Sequence, residues 1–197
     1  MIHGMKKWAT AALSVAVLTA SMAAHAAREV AGVQFEDQVT IADQPLQLNG
    51  VGLRVKMIIK VYAMGLYTPR RDTSPANLMN QVGPKSIRIV MLRDVSANQL
   101  VEGLITGITD NTSTAEMTTL RARVDELEAA MMQVGEVRRG SVIQLDYVPM
   151  QGTRITVSGK PMGRNIAGDD FYRALLRIWL GDRPSDKDLK RGLLGTS

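Results

Sequence analysis

Two serine capping boxes stand near the middle of the chain, with strand-like segments on both sides of them. Ser96-x-x-Gln99 precedes Leu100, Leu104 and Ile108, and Ser113-x-x-Glu116 precedes Leu120, Val124, Leu127, Met131 and Val134. A serine oxygen that accepts a first-turn N–H, followed by apolar residues every three or four positions, marks the start of an amphipathic helix. Arg121, Arg123, Asp125, Glu126 and Glu128 then form the solvated outer face. Ahead of the helices, 30–35, 46–54, 58–67 and 86–95 read as strands, rich in β-branched and apolar residues. Behind them, 141–148 and 153–158 flank the turn Pro149-Met150-Gln151-Gly152, and 162–166 holds a further short strand. A short helix is expected over 75–81, a longer one over 169–180 stopped by Gly181, and a last one opened by Ser185. Asp169 and Asp170 suit the cap and dipole of the longer helix better than a metal site. Strands, helices, strands, helices predict an α+β protein, an antiparallel β-sheet with helices packed on one face. No long linker divides it, so one domain is expected.

Composition narrows the chemistry. Cysteine is absent, and the two histidines are His3 and His25. Lys6 and Lys7 precede the apolar run ATAALSVAVLTA (9–20), which ends in the small-residue stretch SMAAHAA. This reads as a cleavable signal peptide over 1–26, with an Ala24-His25-Ala26 site and a domain over 27–197. The run is shorter than the roughly 20 residues a spanning helix needs, so the expected protein is periplasmic, with no stable membrane insertion after cleavage. It would contain neither His nor Cys, which excludes Ser-His-Asp and Cys-His nucleophiles, imidazole and thiolate metal sites, and disulfides. No cofactor and no metal are expected. With 45% hydrophobic and 22% charged residues, a packed core must hold the fold. The net charge of +5 is scattered among dispersed aromatics, and no nucleic acid partner is expected.

One cation stands out. Arg54 ends the stretch Asn49-Gly50-Val51-Gly52-Leu53-Arg54, in which no third glycine and no following helix support a dinucleotide site. The glycines permit a bulge or a close backbone approach. Arg54 is either a surface or ion-paired arginine or an anion-binding one, because burial without an acidic partner is costly. Tyr62 lies in an apolar strand, as a satisfied core tyrosine or a ligand contact. In one straight strand the two would stand about 26 Å apart. Sharing a ligand therefore requires a turn near 55–57, where the sequence has no Gly, Asn or Pro.

LNGVGLRVKMIIKVYAMGLY (48–67), the helix-rich middle and AGDDFYRALLRIWLGDRPSDKDLKRGLLG (167–195) together resemble the chalcone isomerase-like superfamily, its bacterial exported members in particular. The shared features are a glycine-flanked arginine, a lysine-led strand ending Gly-x-Tyr, then Gly-Asp-x-Phe, Trp-Leu-Gly and Asp-Leu-Lys. The resemblance implies an open-faced sandwich with a ligand cleft between sheet and helices. It matches Arg54 to the arginine that steers the substrate in true isomerases. The isomerase threonine falls on Tyr62, the isomerase tyrosine near Asp110-Asn111, and a later threonine near Ile178. Three of those four polar contacts differ here, which argues against chalcone cyclisation. Non-catalytic fatty-acid-binding members are more similar, and their carboxylate-holding arginine and tyrosine match Arg54 and Tyr62. The resemblance thus implies an exported binding protein for a fatty acid or similar amphipathic carboxylate, with Asn111 and Ile178 as possible cleft lining. An isomerase or intramolecular lyase acting on another small substrate, and a ligand-free structural module, are the alternatives.

Overall fold

The longest strands of the protein form one hairpin, and the functional geometry follows from its irregularities. The computed structural model describes residues 27–196; the expected signal peptide, with both histidines, lies outside the described residues. In chain order the elements are β1 (Ala27–Val30), β2 (Val33–Glu36), β3 (Gln38–Ile41), β4 (Gln44–Lys56) and β5 (Ile59–Thr68). Next come α1 (Pro75–Asn80), β6 (Lys85–Met91), β7 (Val95–Ser96), α2 (Ala97–Asp110), α3 (Thr114–Met132) and β8 (Glu136–Val137). The chain continues through β9 (Val142–Val148), β10 (Gly152–Val157), β11 (Lys160–Pro161), α4 (Asp169–Leu180) and α5 (Lys187–Leu193). Seven strands form an antiparallel sheet in the order β11-β10-β9-β6-β5-β4-β3. The α+β class expected from the sequence is the observed one.

The serine half of each capping box forms: the Ser96 and Ser113 hydroxyls accept the Gln99 and Glu116 backbone N–H groups, while the Glu116 carboxylate pairs with Arg177 instead of returning to Ser113. Leu120, Val124, Leu127 and Met131 of α3 are buried, as their spacing predicts. Helix α4 is buried along nearly its whole length, from Phe171 to Leu180, and packs against α2 where Gly107 faces Ile178. These helices and one face of the sheet share a core that includes Met64, Ile89, Ile143 and Leu145. Among the described residues no helix is long and apolar enough to cross a membrane.

Several local expectations are corrected. Residues 30–35 are not one strand but the β1–β2 hairpin, turning at Ala31-Gly32 with positive φ at both. This hairpin covers part of the sheet's second face, where Phe35 packs with Leu46, Leu48 and Tyr67. The strand expected over 86–95 stops at Met91, and Val95-Ser96 pairs instead with β8. Over 162–166 two separate contacts replace the expected strand: the Met162 N–H donates to the Ile155 carbonyl, and Ile166 bridges to Thr153. Asp186, not Ser185, caps α5, and α4 starts at Gly168 without a side-chain cap. Asp169 and Asp170 stand in the first turn of α4, as expected for its dipole, and pair with Arg173 and Arg123.

The β4–β5 ladder carries a register shift between Leu48 and Gly50, leaving Asn49 as the extra residue. An inserted residue moves every following side chain to the other face. Leu46 and Leu48 therefore pack in the β1–β2 side core, whereas Gly50, Gly52 and Arg54 point to the helices. Buried Asn49 holds the bulge, donating to the Leu193 carbonyl at 2.7 Å and accepting from the Asp72 N–H at 2.8 Å. A Cβ on Gly50 would run into the carbonyls of Gly192 and Leu193, and one on Gly52 would stand 2.9 Å from that of Leu189. The Gly-x-Gly is thus the seat for α5.

Candidate functional site

Arg54 and Tyr62 are direct cross-strand partners, because the chain reverses between them at Met57-Ile58. Met57 supplies the tight turn itself, at φ 59°. A second register shift follows Arg54, so that Val61 is the extra residue on β5. Directly opposed residues project from the same face, here the face under α2 and α4. Between sheet and helices lies a cavity of about 800 Å³, with Arg54 and Tyr62 in its wall. That is within the usual range for small-molecule sites.

The polar edge around Arg54 and Tyr62 presents hydrogen-bond donors, while Glu102 and Asp110 add carboxylates elsewhere in the wall. The Arg54 side chain is 24% exposed; its Nη1 donates to the Val55 carbonyl at 2.7 Å and reaches Asp186 Oδ2 at 3.4 Å. Its Nε and Nη2 have no protein acceptor among the described residues, although a guanidinium offers five N–H groups. Trp179 Nε1 donates to the Tyr62 oxygen at 2.9 Å. Indole N–H is a donor only, so the phenolic proton of Tyr62 stays free for another acceptor. Burial pushes the Tyr62 phenol above its ordinary value, against the Trp179 hydrogen bond and the Arg54 charge. Tyr62 is therefore a neutral donor at neutral pH rather than a base. Beside it lies the buried Ser185 hydroxyl, near enough to Tyr62 to oppose the rise in the phenol's pKa but without a hydrogen bond of good geometry among the described residues.

From this edge the cavity floor crosses the sheet. Val61 on β5, Ile89 on β6, and Ile143 and Leu145 on β9 line it, while Leu100, Leu104 and Ile178 close it from the helices. Three strand spacings separate Arg54 on β4 from β9, about 14 Å. The arrangement offers unpaired N–H and O–H donors at one end and hydrocarbon at the other. An amphipathic anion satisfies both. Among the described residues no three acidic side chains converge as a metal site would require.

Of the residues expected at the site, Arg54, Tyr62 and Ile178 are in the cavity wall and Asn111 is not; its neighbour Asp110 is. Asn111 caps the end of α2, and its side chain donates to the Arg183 carbonyl and accepts the Arg183 N–H, both at 2.9 Å. It positions the loop that carries Ser185. Sequence reasoning missed Trp179, Ser185 and Asp186. Trp179 had a signal, since an indole N–H on an otherwise apolar helix face needs an acceptor.

The sequence pattern of the chalcone isomerase-like family matches residues 27–195. The chain belongs to the chalcone isomerase-like family. Both arms of the site, the β4–β5 hairpin and the Trp179–Asp186 segment, fall within the match. Among solved structures, this chalcone isomerase-like protein is similar to a fatty-acid binding protein of Arabidopsis thaliana, at 18% identity and a TM-score of 0.63, over 83% of this chain and 92% of that one. A likeness at that identity shows the shared fold. No curated protein matches the sequence.

Proposed function

We propose that this chalcone isomerase-like protein binds a fatty acid or a similar amphipathic carboxylate without transforming it. The observation that carries the reading is the half-engaged guanidinium of Arg54 at the polar edge of an apolar cavity. A carboxylate there accepts from Nε and Nη2 in a bidentate pair, and Tyr62 adds a neutral O–H donor. The tail lies along the floor between β5 and β9. The structural neighbour is itself described as a fatty-acid binding protein, which supports the class of ligand. A purely structural role fits poorly with a cavity of about 800 Å³ left open beside an arginine. An isomerase role would have to use Tyr62 as a neutral proton donor, because burial raises its pKa and disfavours the phenolate.

The protein is further proposed to act in the periplasm, exported by the leader over 1–26. The intact mass of the protein recovered from the periplasm should correspond to a chain beginning at Ala27. For the ligand, native mass spectrometry and lipid extraction of protein purified from its own host should show a co-purified acyl carboxylate. Arg54→Ala should lose that ligand while keeping the folded circular-dichroism spectrum. Unchanged occupancy in the variant would refute the carboxylate role of Arg54.

A further inference from the structure

Met57 and Ile58 at the tip of the β4–β5 hairpin are 92% and 93% exposed, and Ile59 is 45% exposed. Two-residue hairpin turns ordinarily carry Asn-Gly or Asp-Gly; this one carries Met-Ile between Lys56 and Lys60. A third cation joins them. The Leu92 N–H donates to the Val61 carbonyl at 2.9 Å, which brings exposed Arg93 alongside the base of the tip. Lys56, Met57, Ile59 and Arg93 also belong to the cavity wall, so the tip stands at the cavity mouth. Among the described residues, the other large apolar side chains at least 92% exposed are Val82 and Met150, each alone in its stretch of chain. They follow or precede the Lys85–Tyr147 end of the β6–β9 ladder, opposite the hairpin tip.

We infer that the hairpin docks the protein on an anionic lipid bilayer. Met57, Ile58 and Ile59 enter the boundary between headgroups and acyl chains, and Lys56, Lys60 and Arg93 face the lipid phosphates. Docking turns the cavity mouth toward the acyl layer, giving an acyl ligand a route that avoids water. This consequence rests on the fatty-acid reading; the docking itself does not. A bilayer fits the tip better than a protein does. A stable protein interface buries about 800 Å² on each partner, far beyond three residues on a tight turn. Two such tips would also bring like charges together, which disfavours pairing with a second copy.

The absence of cysteine from the whole chain makes the test specific. Ile58→Cys accepts a single environment-sensitive fluorophore, and Val82→Cys supplies a matched reporter at the opposite end. The full chain is mixed with vesicles of phosphatidylglycerol and phosphatidylethanolamine, or of phosphatidylcholine alone. The emission at position 58 should shift to the blue with the anionic vesicles, much less with the neutral ones, and revert in about 0.5 M salt. Position 82 should not respond. Ile58→Ser should weaken vesicle partitioning about tenfold and Lys60→Gln about fivefold. Neither residue is in the cavity wall, so soluble fatty-acid affinity should be unchanged in both, whereas Arg54→Ala should lose the fatty acid and keep the vesicles. Equal shifts at 58 and 82, no shift at 58, or unaltered partitioning of Ile58→Ser would each overturn the docking and leave the Arg54 reading intact. Vesicle binding through the tip without any fatty-acid affinity in solution would overturn the Arg54 reading and leave the docking intact.

Discussion

Asp186 sets how much charge Arg54 has left for a ligand. Burial alone would raise its carboxyl pKa, but the Val55, Leu189 and Asp188 N–H groups and the Arg54 charge outweigh burial and hold it below the ordinary carboxylate value. It therefore stays ionised and partly neutralises the guanidinium across 3.4 Å. Asp186→Asn keeps an oxygen to cap α5 and removes the competing charge, so carboxylate affinity should rise severalfold in a direct titration. The same variant should flatten the acid limb of stability. The folded-state pKa lies below the unfolded value of about 3.9, so the native carboxylate contributes stability above that value and loses it as the pH falls through the folded one. Tyr62→Phe tests the other half of the polar wall. It strands the Trp179 N–H without an acceptor, and the denaturant midpoint should report a loss of about 1–3 kcal/mol.

At the scale of elements, the site depends on how closely α5 sits on β4. A Cβ on Gly52 would lie 2.6 Å from Leu189 Cδ1 and 2.9 Å from the Leu189 carbonyl, so Gly52→Ala must lift the helix and carry Asp186 with it. Stability and ligand affinity should fall together. Gly103→Ala on α2, where a Cβ meets nothing within 4 Å, should instead stabilise by about 0.5–1 kcal/mol, as thermal denaturation would show. Helices α2 and α3 were legible in the sequence because their signals are local: a serine cap, a partner three residues on, and apolar residues on one face. The hairpin turn was not, since Met57-Ile58 lacks the residues that turn chemistry favours and is imposed by the ladder on either side. The meeting of Arg54 with Tyr62 depends on that turn and on register, and the Asn49 bulge that sends Arg54 to the cavity face is held by contacts with Asp72 and Leu193. The bond between Trp179 and Tyr62 joins positions 117 apart, a separation over which periodicity carries no information.

Across the whole molecule the four tyrosines, Tyr62, Tyr67, Tyr147 and Tyr172, all have their pKa raised by burial. Unfolding lets each ionise near its ordinary value of about 10. Their contribution is fully present below that pH and lost as the pH rises through the folded-state values, so the denaturant midpoint should drop steeply on the alkaline side. Buried Lys85 works the other way, because burial, opposed by the Asp169 charge, lowers its pKa; its contribution rises with pH up to the unfolded value of about 10.4. Lys85→Met removes that rising contribution and should therefore sharpen the alkaline drop. One measurement bears most directly on the ligand. Trp179 lines the cavity, so its fluorescence can follow titration with palmitate and with palmitate methyl ester, which share a tail and differ only in the charge that Arg54 would meet. The wild-type protein should prefer the acid by about tenfold or more, and Arg54→Ala should bind both equally weakly; equal affinities for acid and ester in the wild type would contradict a carboxylate held by Arg54.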